Sequence, residues 1–172
     1  GLLTPDQFID GPVARGVESG ICIHTVGFGA PGDLDEELLR AIAQGSGCGA
    51  YYHASDAYQL RVVYARLRHE TSGDQIVTFQ DWVRQSQLTP LGLYTVLSGQ
   101  GLLDATLLWA GSDVDLILTD PRGREVTEDY AGATFFGDTA MRRIMIENPI
   151  VGDWEVAAYG LDVPEGVLQV DA

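Results

Sequence analysis

The chain has 172 residues, 45% of them apolar and 20% charged, a composition that supports a packed core and excludes a disordered tail. Twenty-five acidic residues against ten basic ones give a net charge of −15 and a pI near 4.2, which repels phosphate backbones and anionic lipid and argues against nucleic-acid and membrane-surface partners. No apolar run reaches the roughly 18 residues that cross a bilayer, so no membrane insertion by this chain is expected.

The opening Gly1-Leu2-Leu3-Thr4-Pro5 carries no initiator Met, and a processed product or a cut piece is expected from it. Thr4 as cap and Pro5 as first helical residue lead into a weak helix that should end by Gly20. Ile21 to Val26 is β-branched and largely apolar, as a strand covered on both faces would be. Gly27, Gly29, Pro31 and Gly32 form its exit loop. Asp33 and Glu36 have capping-box spacing, and Leu34, Leu38, Ala41 and Ile42 share a helical face that stops at Gly45-Ser46-Gly47. Ala50 to His53 reads as a second strand, and Asp56 caps a helix whose Leu60, Val63, Tyr64 and Leu67 share a face. A crossover of this kind makes the two strands parallel neighbours. Two strands do not make a stable doubly covered sheet, so this half looks incomplete.

Near Glu70-Thr71-Ser72-Gly73-Asp74 the helical period stops, which divides the chain into 1–72 and 73–172. Beyond it, strands are expected near 75–79, 93–98, 104–109, 114–119, 134–136, 141–147, 153–159 and 166–171. Turns at Ser98-Gly99-Gln100-Gly101, Gly111-Ser112-Asp113, Asp120-Pro121-Arg122-Gly123 and Gly152-Asp153 separate them, a spacing suited to an all-β sandwich.

The first half resembles the carboxyl-terminal part of a von Willebrand factor A (vWA) domain. The blocks that carry the likeness are Gly20 to Gly29, Leu38 to Ala43 with Ser46-Gly47, Gly49 to Ala54, and the Leu60–Leu67 helix. The resemblance implies a Rossmann-like sheet that binds protein ligands through a divalent metal. The family's metal-binding motifs are absent from these residues; Gly1 matches the glycine of the last of them, so any Mg or Ca site belongs to the parent, upstream of residue 1. The second half resembles the β-sandwich that follows such domains in calcium-activated chloride channel regulators, on Thr106 to Trp109, Gly111 to Gly123 and Pro149 to Val156. Similar strings occur in sandwich modules appended to secreted peptidases. The expected fold class is thus α/β, an incomplete Rossmann-like vWA half, plus an all-β sandwich.

Few residues point to chemistry. Asp113, Asp115 and Asp120 invite a calcium site, since Ca²⁺ takes six to eight hard oxygens. The competing reading is a turn closure, a solvated strand face and an ordinary β-turn. Cys22 and Cys48 lie near the starts of the two parallel strands, roughly 5 Å apart by strand spacing, within disulfide reach. A buried free thiol at each place is the alternative; an even cysteine count in a surface-type protein lends the bridge support without deciding between the two. His24, His53 and His69 read as structural histidines rather than a catalytic set. Neither H-E-x-x-H nor G-x-S-x-G occurs, and Gly27 to Gly32 lacks the frame of a phosphate loop. Trp109 and Trp154 are expected in the core, with Trp82 less constrained.

These readings lead to a non-enzymatic protein-interaction or adhesion module, a fragment of a surface or secreted protein, extracellular or at the cell surface, with no cofactor of its own and a protein ligand or partner chain. The alternatives are an accessory region of a secreted peptidase and a scaffold completed by a partner chain.

Overall fold

A computed structural model describes residues 9–72, 77–163 and 167–171. The chain forms two compact units, Gly1–Ser72 and Gly73–Ala172.

The first unit holds a π-helical turn at Ile9–Val13, α1 (Ala14–Glu18), β1 (Thr25–Phe28), α2 (Glu36–Gly45), β2 (Tyr51–Ala54) and α3 (Ala57–Ser72). The expected Thr4-Pro5 cap lies outside the described residues. Pro12 falls inside the π-helical turn, and the short helix after it ends where Gly20 takes φ +69°, a conformation that suits glycine. β1 begins four residues later than Ile21. Ile21 is exposed, and the next residues are held outside the ladder, Ile23 by the Ser46 hydroxyl and His24 by Ala50. The cap of α2 is Asp35 rather than Asp33. The Asp35 carboxylate accepts from Leu38 N–H at 3.0 Å, whereas Asp33 N–H donates to Ala30 in the preceding turn. Asp56 caps α3 through Gln59 N–H at 2.9 Å. β1 and β2 pair in parallel, Thr25 opposite Tyr51 through Phe28 opposite Ala54. Among the described residues the buried apolar side chains of this unit are Val13, Ile42, Ala43, Ala54 and Val63, a small core.

The second unit contains β3 (Gln80–Arg84), β4 (Leu88–Val96), β5 (Leu102–Trp109), β6 (Asp113–Thr119), β7 (Ala133–Asp138), β8 (Met141–Glu147), β9 (Gly152–Asp162) and β10 (Val167–Asp171). They make two antiparallel sheets, β3-β10-β5-β8-β7 and β4-β9-β6. Of the strand expected at 75–79, residues 75 and 76 lie outside the described residues and 77–79 are not in a strand; the first strand among the described residues of this unit starts at Gln80. Phe79 instead packs across Gly92, where any Cβ would overlap its ring, so Phe79 serves the core rather than the ladder. β4 starts five residues earlier than expected and runs through a bulge between Pro90 and Gly92, which keeps its alternation in step despite the proline.

The core between the sheets is built by alternation. Val114, Leu116 and Leu118 of β6, with Trp154, Val156 and Ala158 of β9, point inward against Leu103, Leu107, Ile144 and Ile146. Trp109 and Trp154 are fully buried, their indole N–H groups donating to the carbonyls of Ser112 and Ile150 at 2.8 Å. Buried polar atoms that keep a partner cost little. Trp82 is 57% exposed.

Candidate functional site

The starts of β1 and β2 are drawn together by three devices. Cys22 and Cys48 form a disulfide, with S–S 2.03 Å and Cα atoms 5.2 Å apart. Ser46, buried at the end of α2, donates its hydroxyl to Ala43 O at 2.7 Å and accepts from Ile23 N–H at 3.2 Å and Gly49 N–H at 3.0 Å. Gly49 is required because a Cβ there would overlap the Ile23 carbonyl.

The histidines do not form a set. His24 Nδ1 accepts from Ala50 N–H at 3.3 Å, so the proton of the neutral ring sits on Nε2. His53 Nε2 donates to Gly29 O at 3.0 Å. His24 stacks on Tyr52 with ring centres 6.1 Å apart, while His53, the next residue along β2, faces the other way. The His69 side chain lies outside the description.

A polar network covers the Tyr52 side of the strand pair. The Tyr52 hydroxyl donates to Glu70, Arg66 Nε donates to Glu70 Oε1 at 2.7 Å, and the Arg66 guanidinium lies 5.6 Å from the Tyr52 ring centre. Burial and then the Glu70 contact raise the Tyr52 phenol. The Tyr52 hydroxyl, and after it Arg66, hold the Glu70 carboxyl below its ordinary value. A carboxyl lowered by folding adds stability above its unfolded pKa and loses it as pH falls through the folded one. Tyr52→Phe should therefore raise the midpoint of Glu70 and flatten the acid side of this unit's stability profile, checked by NMR titration of the Glu70 carboxyl carbon. An unchanged midpoint would show that Arg66 alone sets it.

In the second unit the three candidate calcium aspartates separate. Asp113 and Asp115 converge on Arg142, at 3.0 Å and 3.7 Å, and Arg142 also lies 5.5 Å from the Trp109 ring centre. Asp113 and Arg142, with Ser112, Asp138 and Thr139, line an open hollow of about 490 Å³. Asp120 is elsewhere and 3% exposed. Its Oδ1 accepts from Arg122 N–H and Arg124 N–H, each at 2.9 Å, and its Oδ2 accepts from the Tyr130 hydroxyl at 3.0 Å. Burial pushes this carboxyl up, but these donors and the Arg124 charge outweigh it and hold it below its ordinary value. The Asp120-to-Gly123 turn is closed by Gly123 N–H on Asp120 O at 2.8 Å, with Gly123 at φ +78°. Asp120 thus organises the loop that follows β6. Among the described residues no group of three or more His, Cys, Asp or Glu side chains is placed to hold a metal ion.

Sequence reasoning missed the arginines. Arg142 and Arg143 are adjacent on β8 and therefore face opposite sides of its sheet. Arg142 gathers Asp113 and Asp115, and Arg143 forms a two-pronged pair with Asp104 at 2.7 and 2.8 Å. The sequence signal is two arginines in an unusually acidic half; their partners come from strands distant in sequence.

No family model matches the chain. A search of solved structures finds a likeness to the lipase BlEst2 of Bacillus licheniformis in its propeptide form, 19% identical, covering 57% of this chain with a TM-score of 0.38. The chain spans 22% of that lipase. A likeness this low transfers neither the lipase's fold nor its activity.

These findings correct the family reading. No vWA model and no sandwich model matches the chain, and the structural likeness found is to a protein named as a lipase rather than to either. The identification as the end of a vWA domain followed by a chloride-channel-regulator sandwich is withdrawn. So is its fold class; the chain is a mixed α/β protein with one parallel and two antiparallel sheets. The adhesion or interaction role built on that family, its alternatives as a peptidase accessory or a mere scaffold, and the exclusion of enzymatic activity fall with it; the expectation of a protein ligand or partner chain does not rest on that family. The physical reason is that the matched blocks are apolar strand runs and glycine turns, which many parallel and antiparallel sheets share. None of them carried a metal ligand or other side chain peculiar to the family.

Proposed function

We propose that this chain works outside the cytosol, at or beyond the cell surface, and that its α/β unit takes up a further strand from a partner chain. The observation that carries the reading is the four-residue parallel pair β1–β2. Thr25 and Gly29 send their N–H groups to Ala50 O and Ala54 O. Alternation along a strand then turns the peptide groups of Val26 and Phe28 to the opposite edge, and among the described residues no strand lies there. Such an edge is a template for another strand, and parallel sheets reach stability with more strands than two. The disulfide supports the compartment, since such bridges persist where thiols are not kept reduced.

Amide hydrogen exchange tests the edge. In the dilute chain Gly27 and Gly29 should be protected while Val26 and Phe28 exchange freely, and in the assembly purified from its native source Val26 and Phe28 should slow. Protection of Val26 and Phe28 in the dilute monomer would overturn the reading. Thiol titration of the native protein tests the compartment, and two free thiols would overturn that part.

A further inference from the structure

We propose that the outer face of the three-stranded sheet is a docking surface for a basic, apolar segment of a partner protein. The face is defined by register. On β9, Trp154, Val156 and Ala158 are buried, so Glu155, Ala157 and Tyr159 point outward. Leu88, Pro90 and Leu93 of β4 lie opposite Tyr159, Ala157 and Glu155. From the other side Ile117 lies opposite Ala157, and Thr119 opposite Glu155. The middle row of the face is therefore Pro90, Ala157 and Ile117, apolar from edge to edge, and Leu88 and Leu93 beside it are each 57% exposed.

An antiparallel sheet with one solvated face ordinarily alternates apolar-in with polar-out. This one is apolar on both sides of β4 and across its centre, the pattern of a surface meant to be covered. The contact is made by the face and not by strand addition, because β4 presents a proline without an N–H and a bulge at Pro90/Gly92, both of which blunt an edge.

Charge selects the occupant. β4, β6 and β9 contain no basic residue, while Asp113, Asp115, Asp153, Glu155 and Asp162 lie on them. Glu155, in the Leu93 row, makes no salt bridge among the described residues. The whole unit holds sixteen acidic residues against five arginines, a net charge of −11. A second copy would bring like charge to the contact, whereas Lys or Arg beside apolar side chains would meet both the leucines and Glu155.

The test uses the intact chain and a labelled amphipathic helical peptide with Leu on one face and Lys on the other, followed by fluorescence anisotropy. The double variant Leu88→Ser, Leu93→Ser should weaken binding on the order of tenfold or more, from the apolar area no longer covered, with an unchanged melting temperature. Glu155→Lys, which leaves the apolar surface intact, should also weaken it, and added salt should do so for the wild type. The proposal is overturned if the double serine variant binds as well as the wild type, or if a peptide with Ser in place of Leu binds equally. It is likewise overturned if the chain dimerises through this face, or if the serine variant melts several degrees lower because the face is covered within the chain.

Discussion

Reduction of the Cys22–Cys48 bridge unfolds the α/β unit and leaves the two-sheet unit standing; this is the largest effect expected of any change considered. The bridge closes a segment of sequence separation 26. In the chain-entropy account, a loop of that size contributes about 3.5 kcal/mol by restricting the unfolded state. The unit it serves has a two-stranded sheet and five buried apolar side chains among the described residues. Units with cores this small have total stabilities of only a few kcal/mol, of the same size as the bridge's contribution. The second unit contains no cysteine and among the described residues buries sixteen core residues, two of them tryptophan. A thermal scan of the intact chain should show two transitions. Reductant, or Cys22→Ser with Cys48→Ser, should abolish the one that carries the helical signal and leave the β transition in place. A helical transition unmoved by reduction would show that Ser46 and the packing of α2 and α3 suffice without the bridge.

Asp120→Ala should destabilise the second unit by about 3 kcal/mol. The substitution leaves the backbone N–H groups of two half-buried hydrogen bonds and the hydroxyl of Tyr130, itself 7% exposed, without their shared acceptor, and stranding the buried hydroxyl costs more than the net value of its bond. It also removes the anion that faces Arg124, which lies 3.9 Å from Asp120 Oδ2 and 4.1 Å from the Tyr130 ring centre. For a unit of this size the melting temperature should fall on the order of 15 °C. The pH dependence has a definite sign. The Asp120 carboxyl is held below its ordinary value, so its contribution is fully present above the unfolded pKa and is lost as pH falls through the folded one. Asp120→Asn keeps an oxygen for the two N–H groups and should cost less than the alanine, about 1 to 2 kcal/mol. Its distinguishing mark is a stability profile flatter on the acid side than the wild type's, measured by denaturant unfolding across pH. An Asn variant with the wild-type acid limb would place that pH dependence on other carboxylates.

The two predictions differ in how far the sequence announced them. Asp120-Pro121-Arg122-Gly123 is legible as a turn because proline and glycine act through their own backbones, and the turn is there. That the same aspartate receives Tyr130 from ten residues on was not legible. A carboxylate in a turn is solvated unless something covers it, and only the packing of that loop on the core covers it. The calcium reading of Asp113, Asp115 and Asp120 grouped three residues by nearness in sequence. The fold parts them, since β6 carries the first two to Arg142 on β8 while the third turns back into its own loop. The caps show the same division. Asp56 caps where expected, whereas the preceding turn runs on through Asp33, so the helix starts at Glu36 and Asp35 is the residue that caps it.

The family reading failed for a related reason. Apolar strand runs, a capped helix and glycine turns are what any α/β crossover needs, so their order carries information about local structure and little about ancestry.

By itself the sequence determined what lies within reach of a few neighbouring residues: the change from a helical to a two-residue period near residue 72, the turns, the cap at Asp56, the acidity, and which strand residues alternate inward. The tertiary structure decided what depends on residues far apart. It brought Cys22 to Cys48, turned His24 and His53 to opposite sides of the β1–β2 pair, made Asp120 a buried hub, and among the described residues left an apolar sheet face and the outer edge of β1 uncovered. Local conformational preferences act through a residue's own backbone and its next turn; pairing, burial and charge partnership are set by which segments the fold brings side by side.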